Sequence, residues 1–138
     1  MKKLNMPVEK FTTLDPITAI ETTSIDDLIL LMKENGVRHL PIVRGKKVVG
    51  IVSDRDVRLA SGLTSQEKMM IEAKHIMASD PVTVDSQTSL DDVALEMSQN
   101  KIGSVIVNDE NENFLGIFTV SDALNALIEI TKSSQKNV

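Results

Sequence analysis

The 138-residue sequence predicts an α/β fold of the α+β kind, built from two copies of one β-α-β-β-α unit. Three observations predict it. First, "DPITAIETTSIDDLILLMKEN" (15–35) lies over "DPVTVDSQTSLDDVALEMSQN" (80–100) at a constant offset of 65 residues without a gap, and such self-similarity marks a repeated structural unit. Second, apolar residues recur at helical spacing in both copies, at Ile25, Leu28, Ile29 and Met32 and at Leu90, Val93, Ala94 and Met97, which marks a helix with one buried face. Third, short runs rich in β-branched residues flank polar turns, as strands do.

The repeat extends backwards through "VEKFTTLDP" (8–16) over "AKHIMASDP" (73–81), and forwards through "GVRHLPIV" (36–43) over "KIGSVIVN" (101–108). One inserted residue in "NDENENF" raises the offset to 66 and sets "GIVSDRDVRLA" (50–60) over "GIFTVSDALNA" (116–126). Each unit begins after Asp-Pro with a short extended piece, "ITAI" or "VTVD", since proline disfavours helix at the preceding residue and β-branched residues favour strand. Ser24 with Asp27, and Ser89 with Asp92, then form a capping-box variant that opens the first helix. "HLPIV" and "KVVGIV" are two strands joined at Arg44-Gly45-Lys46, and "SVIV" and "FLGIF" are their counterparts around "NDENEN". A last helix starts at Ser53 and again at Thr119. Thr64 with Glu67 is a further capping box that starts a connecting helix. This organisation gives a first repeat over 7–62, a linker helix over 63–72, a second repeat over 73–130 and a frayed polar tail over 131–138.

The 41% hydrophobic content suffices for a core, and the 25% charged residues carry both signs interspersed, as in an ordinary soluble domain. A formal net charge of −5 opposes docking onto nucleic acid by summed charge. No cysteine is present, so thiol catalysis, disulfides and thiolate metal sites are excluded. His39 and His75 have no metal-ligand spacing. The longest apolar stretch, "LILLM" (28–32), is too short for a signal peptide core or a membrane span, and a cytoplasmic location is the default expectation.

Ser53 and Asp56 alone are explained by a helix cap, in which a hydroxyl and an acid satisfy orphan amides. The same arrangement returns as Thr119 and Asp122, each time behind a glycine and two apolar residues at a strand-to-helix junction, where amides and a hydroxyl converge. An aspartate there can accept two hydrogen bonds from a vicinal diol while the Ser or Thr hydroxyl holds a third polar atom.

"GIVSDRD" and "GIFTVSD" resemble the Gly-apolar-apolar-Ser/Thr-x-x-Asp motif of cystathionine-β-synthase (CBS) domains, and the likeness covers residues 7 to 130. The chain is similar to a standalone tandem pair, a Bateman module. The resemblance implies two repeats packed pseudo-symmetrically through their sheets, with two clefts that take AMP, ADP, ATP or S-adenosylmethionine as regulatory ligand. It implies a ribose-binding acid at Asp56 and Asp122 and a hydroxyl partner at Ser53 and Thr119. It sets the adenine against backbone near Thr18 and Ile20, or Thr83 and Val84, and against Val37 and Pro41, or Ile102 and Ile106. Phosphate contacts map onto Arg38, His39 and Arg55 in the first site. Gly103, Ser104 and Ser121 stand at those places in the second, so the first is better suited to an anion. Each of the three basic residues has a plainer explanation: a solvated charge for Arg38, a packed strand residue for His39, an ion pair with Asp54 or Asp56 for Arg55.

His75 aligns with Lys10 and is expected at an exposed helix position. Met32, Met97 and the pair Met69-Met70 are expected to fill core space. Asp54 and Asp56 fall on different helix faces with no third acid, so no protein metal site is expected, and no nucleophile-base pair is visible. The expected function is a non-catalytic sensor of an adenine nucleotide or other adenosyl compound, acting on a partner protein or its own homodimer. The alternative is a ligand-free dimerisation scaffold. Neither nucleic acid nor membrane is an expected partner.

Overall fold

The computed structural model describes residues 6–136. Ser24, in extended conformation, accepts a hydrogen bond from the Asp27 amide and starts helix α1 (Ile25–Asn35), satisfying one orphan first-turn donor. The helix buries Ile25, Leu28 and Met32 and ends at Gly36, whose φ of 62° lets the Val37 amide reach the Met32 carbonyl in a Schellman-type stop. Its counterpart α5 (Leu90–Asn100) buries Leu90, Val93 and Met97 but makes the same left-handed turn on Lys101, φ 54°, which costs a residue bearing a Cβ about 1–2 kcal/mol.

The predicted cap at Ser89 does not form. Its side chain accepts no cap bond and its Oγ is buried without a partner among the described residues. Instead the leader lies across this helix start: Pro7 bridges Ser89 and the Leu90 amide donates to the Met6 carbonyl, so backbone holds the helix end.

Strands β3 (His39–Arg44) and β4 (Lys47–Ser53) pair antiparallel, with Arg44 opposite Lys47 and Gly45 at φ 60° in the turn. Strands β7 (Ser104–Asn108) and β8 (Phe114–Thr119) repeat the hairpin. The extended pieces after Asp-Pro shrink to β2 (Ala19–Ile20) and β6 (Thr83–Asp85), parallel to β3 and β7 respectively. Helices α2 (Asp54–Ala60) and α6 (Val120–Lys136) follow the two hairpins. Helix α6 runs on past Ile130 to Lys136; 137 and 138 lie outside the described residues.

Two strands were not foreseen. β1 (Thr13–Leu14) joins β8, and β5 (Ala78–Ser79) joins β4, both antiparallel. The sheet orders are therefore β1-β8-β7-β6 and β2-β3-β4-β5: the segment leading into each repeat pairs with the other repeat's hairpin. One compact unit accordingly comprises Pro16–Pro81, and the other the residues up to Asp15 together with those from Val82 onward. The chain changes unit beside Asp15 and Asp80, both at positive φ, 48° and 52°.

In the first unit Leu28, Leu40, Ile42 and Val52 are fully buried among the core residues, and in the second Val8, Val93, Val105, Val107 and Phe118 are; each large apolar side chain so placed contributes about 1.5–3 kcal/mol. The linker holds the short helix α3 (Ser65–Met69), begun by the reciprocal Thr64–Glu67 box, and α4 (Ala73–Ile76) follows at the start of the second repeat. The expectation for Met69 and Met70 is corrected: they are 85% and 80% exposed, because α3 is too short to bury a face and Leu63 and Ile71 take the adjoining places against the core.

Candidate functional site

Strand β4 hands over to α2 at Ser53 through a closed box. The Asp56 amide donates to Ser53 Oγ at 3.2 Å, while Asp56 Oδ2 accepts from the Ser53 amide and from Ser53 Oγ, each at 2.9 Å. Both side chains are half-buried. The box fixes the carboxylate in the plane of the helix start, and no hydrogen bond occupies Asp56 Oδ1 among the described residues. The cap and a ligand role are therefore compatible, since they use different oxygens.

The glycine that opens the motif has a steric reason. A Cβ on Gly50 would lie 2.5 Å from Met77 Sδ and 3.0 Å from the Ala78 carbonyl oxygen, and one on Gly116 would collide with the Thr13 carbonyl oxygen. The strand that crosses from the other repeat thus demands glycine here and brings its own backbone to the base of the elbow.

At the second elbow Thr119 and Asp122 repeat the box: Asp122 Oδ2 accepts from the Thr119 amide at 2.9 Å and from Thr119 Oγ1 at 3.1 Å, and the Asp122 amide donates to Thr119 Oγ1 at 3.4 Å. Here a third residue intrudes. Thr13 Oγ1 donates to Asp122 Oδ1 at 3.1 Å and also lies 3.3 Å from Oδ2. Thr13 was not singled out in the sequence, although setting it over Ala78 in the repeat alignment exposes a hydroxyl present in one copy and absent from the other.

The basic residues of the first site gather beside the elbow by pairing. His39 stands opposite Ser53 across the hairpin, and the Asp54 amide donates to the Arg38 carbonyl at 2.7 Å. His39 is half-buried, and burial pulls its imidazole below the ordinary range, outweighing the attraction of Asp56 and Asp54; Arg38 adds to the lowering. Arg38 and Arg55 are exposed. Arg55 joins no ion pair among the described residues; Asp54 is taken instead by Arg58, one turn on, at 3.3 Å. In the second unit Ser104 stands opposite Thr119, the Val120 amide donates to the Gly103 carbonyl, and Ser121 is exposed.

The residues assigned to the base divide by exposure. Thr18 and Val37 are half-buried and Ile20 is exposed; in the second unit Ile102 is half-buried like its counterpart Val37, whereas Thr83 is exposed where its counterpart Thr18 is not. Val84 belongs to the core, so only its backbone can be offered. Pro41 and Ile106 are fully buried and present no surface of their own. Grooves of about 320 Å³ and 400 Å³ lie elsewhere, between the helices of each unit; the first includes Val37 and Asp54 but neither Ser53 nor Asp56, and the second includes Ile102 but neither Thr119 nor Asp122. His75 is exposed on α4, where its Nδ1 accepts from the Glu72 amide at 2.9 Å. No cluster of three or more His, Cys, Asp or Glu suited to a metal occurs among the described residues, and none of their helices is long and apolar enough to cross a membrane.

Known proteins resemble this chain in sequence and in fold. A family model described as the CBS domain matches residues 8–62 and 73–129. An inosine-5'-monophosphate dehydrogenase of Korarchaeum cryptofilum is 33% identical over 88% of the chain but only 24% of its own length, and the chain spans a quarter to under half of the first curated relatives it matches. A putative acetoin utilization protein (AcuB) of Vibrio cholerae has a structure with a TM-score of 0.84 at 31% identity, covering 96% of this chain and 98% of that one. CBSX2 of Arabidopsis thaliana, solved in complex with AMP, has a TM-score of 0.77 at 27% identity, covering 91% and 98%. The CBS domain pair of protein MJ0100, solved with 5'-methylthioadenosine and S-adenosyl-L-methionine, has a TM-score of 0.78 at 28% identity, with the same coverage.

Proposed function

The chain belongs to the CBS domain family, and on that premise we propose that it is a regulatory module that binds an adenine nucleotide or other adenosyl compound and passes its occupancy to a partner protein or to its own oligomer. One observation carries the reading: Asp56 is locked by Oδ2 into its helix start while Oδ1 is left to accept a ribose diol. The adenosyl ligands in the CBSX2 and MJ0100 structures support the same chemistry. In this reading the diol sits on Asp56, the base lies along the backbone of Thr18 and Ile20 beside Val37, and Arg38, His39 and Arg55 face the phosphate. The module is non-catalytic: the dehydrogenase relative is matched over only 24% of its length, and the elbows supply acceptors and caps rather than an activated nucleophile.

The test is the calorimetric melting temperature with and without millimolar AMP, ADP, ATP, S-adenosylmethionine and GTP. A ligand at 100 times its Kd adds about 2.7 kcal/mol, which for 138 residues is a rise of about 9 °C. A rise with at least one adenine compound is expected. No rise with any of them would favour the ligand-free dimerisation scaffold, a reading with its own support in the exposed apolar side chains Leu124, Leu127 and Ile128 of α6.

A further inference from the structure

The two elbows share one construction and differ in one contact. Thr13 on β1 pairs with Ile117, and Ala78 on β5 pairs with Ile51, so these two residues occupy matching places beside Asp122 and Asp56. Thr13 has a hydroxyl and spends it on Asp122. Ala78 has none.

We propose that Thr13 is a built-in occupant of the second elbow, holding Asp122 where a ligand's hydroxyl pair would bind, so that the chain carries one competent adenosyl site, at Asp56, and one self-closed site. The inference rests on the ribose reading above. An ionised carboxylate has about four lone-pair positions. At Asp56 two are used, both on Oδ2, by the Ser53 amide and hydroxyl, and the pair on Oδ1 matches a vicinal diol. At Asp122 the Thr119 amide and hydroxyl fill Oδ2 and Thr13 takes a position on Oδ1, so a diol must share that oxygen or displace the threonine.

Thr13 is exposed, but its backbone is held where the hydroxyl meets Asp122. Its backbone is fixed in the ladder with β8, and its carbonyl packs where Gly116 lacks a side chain. A hydrogen bond to a charged acceptor is worth about ten- to a hundredfold in affinity, which is the handicap expected at the second elbow. The same asymmetry runs through the anion contacts, Arg38 and His39 in one unit against Gly103 and Ser104 in the other.

Titration calorimetry with AMP separates the outcomes, using wild type, Thr13→Ala, Thr13→Val and Ala78→Thr, each first shown to be folded by its unliganded melting temperature. The wild type should bind one AMP per chain. Thr13→Ala and the near-isosteric Thr13→Val should bind a second, and Ala78→Thr should weaken the first at least tenfold. Two equal sites in the wild type, a threonine variant that still binds one, or one that binds more weakly would overturn the role of Thr13 and leave the ribose reading standing. A wild type that binds no AMP overturns a competent AMP site at Asp56: a Thr13→Ala chain that then binds one still upholds the occupant at Asp122, and one that binds none overturns the occupant as well.

Discussion

Replacing Asp56 by asparagine removes one charge and almost no volume, which makes it the sharpest perturbation of the proposed site. The amide oxygen can take over the bonds that Oδ2 accepts from the Ser53 amide and hydroxyl, so the box survives in shape. What goes is the acid in the first turn, worth about 0.3–1 kcal/mol at a helix N-terminus, or roughly 1–3 °C of melting temperature for a chain this long. The binding cost is larger. The ligand side now presents an NH₂ where a diol needs an acceptor, and two charge-assisted bonds become at best neutral ones, a loss of about 2 kcal/mol or about thirtyfold in Kd. Titration calorimetry suits the assay because the chain has no Trp or Tyr to report binding by fluorescence. An AMP affinity unchanged in Asp56→Asn, with the melting temperature lowered, would refute the reasoning and leave Asp56 a helix cap only.

Other expectations follow from single contacts. Gly116→Ala should destabilise by about 1–3 kcal/mol, and more than Gly50→Ala, because its Cβ meets backbone of Thr13 rather than mainly the flexible Met77 side chain; equal losses by calorimetry would contradict this. Lys101→Gly should stabilise by about 1 kcal/mol by relieving the left-handed turn at φ 54°, while Gly36→Lys should lose a similar amount; a lowered melting temperature for Lys101→Gly would show that the Lys101 side chain contributes more than the strain costs. Burial holds His39 below its ordinary pKa, so the unfolded chain takes up a proton first, near pH 6.5, and stability falls as pH drops through that value toward the folded pKa. His39→Gln should therefore flatten the melting curve between pH 7 and pH 5, and an unchanged slope would assign the pH dependence to other groups.

Much of the fold is legible because it is periodic. The stripe Ile25, Leu28, Met32 returns as Leu90, Val93, Met97, and all six are buried in the structure. The hairpins are legible from β-branched runs about short polar turns, and Gly50 and Gly116 mark the elbows. What escaped reading is short or long-range. Strands β1 and β5 have two residues each, too few to show a period, and their pairing with the other repeat's hairpin is set by ladder partners far along the chain. The Thr13 to Asp122 bond joins residues 109 apart, so local patterning could not reveal it. Ser89 has the right residue type for a cap, but the leader backbone covers that helix end. Met69 and Met70 fit a helical stripe, yet the helix that ends at Met69 has five residues and no face to bury.

The central claim, that a carboxylate at the first elbow receives a ribose diol, is tested most directly by melting the wild-type protein in equal millimolar concentrations of AMP and 2'-deoxy-AMP. The two ligands differ by one hydroxyl. A clear rise with AMP and a markedly smaller one with the deoxy compound is the expected result, since one of the two bonds to Asp56 Oδ1 is then missing. Equal rises would contradict it, and so would the absence of a rise with AMP and with every other adenine compound of the panel.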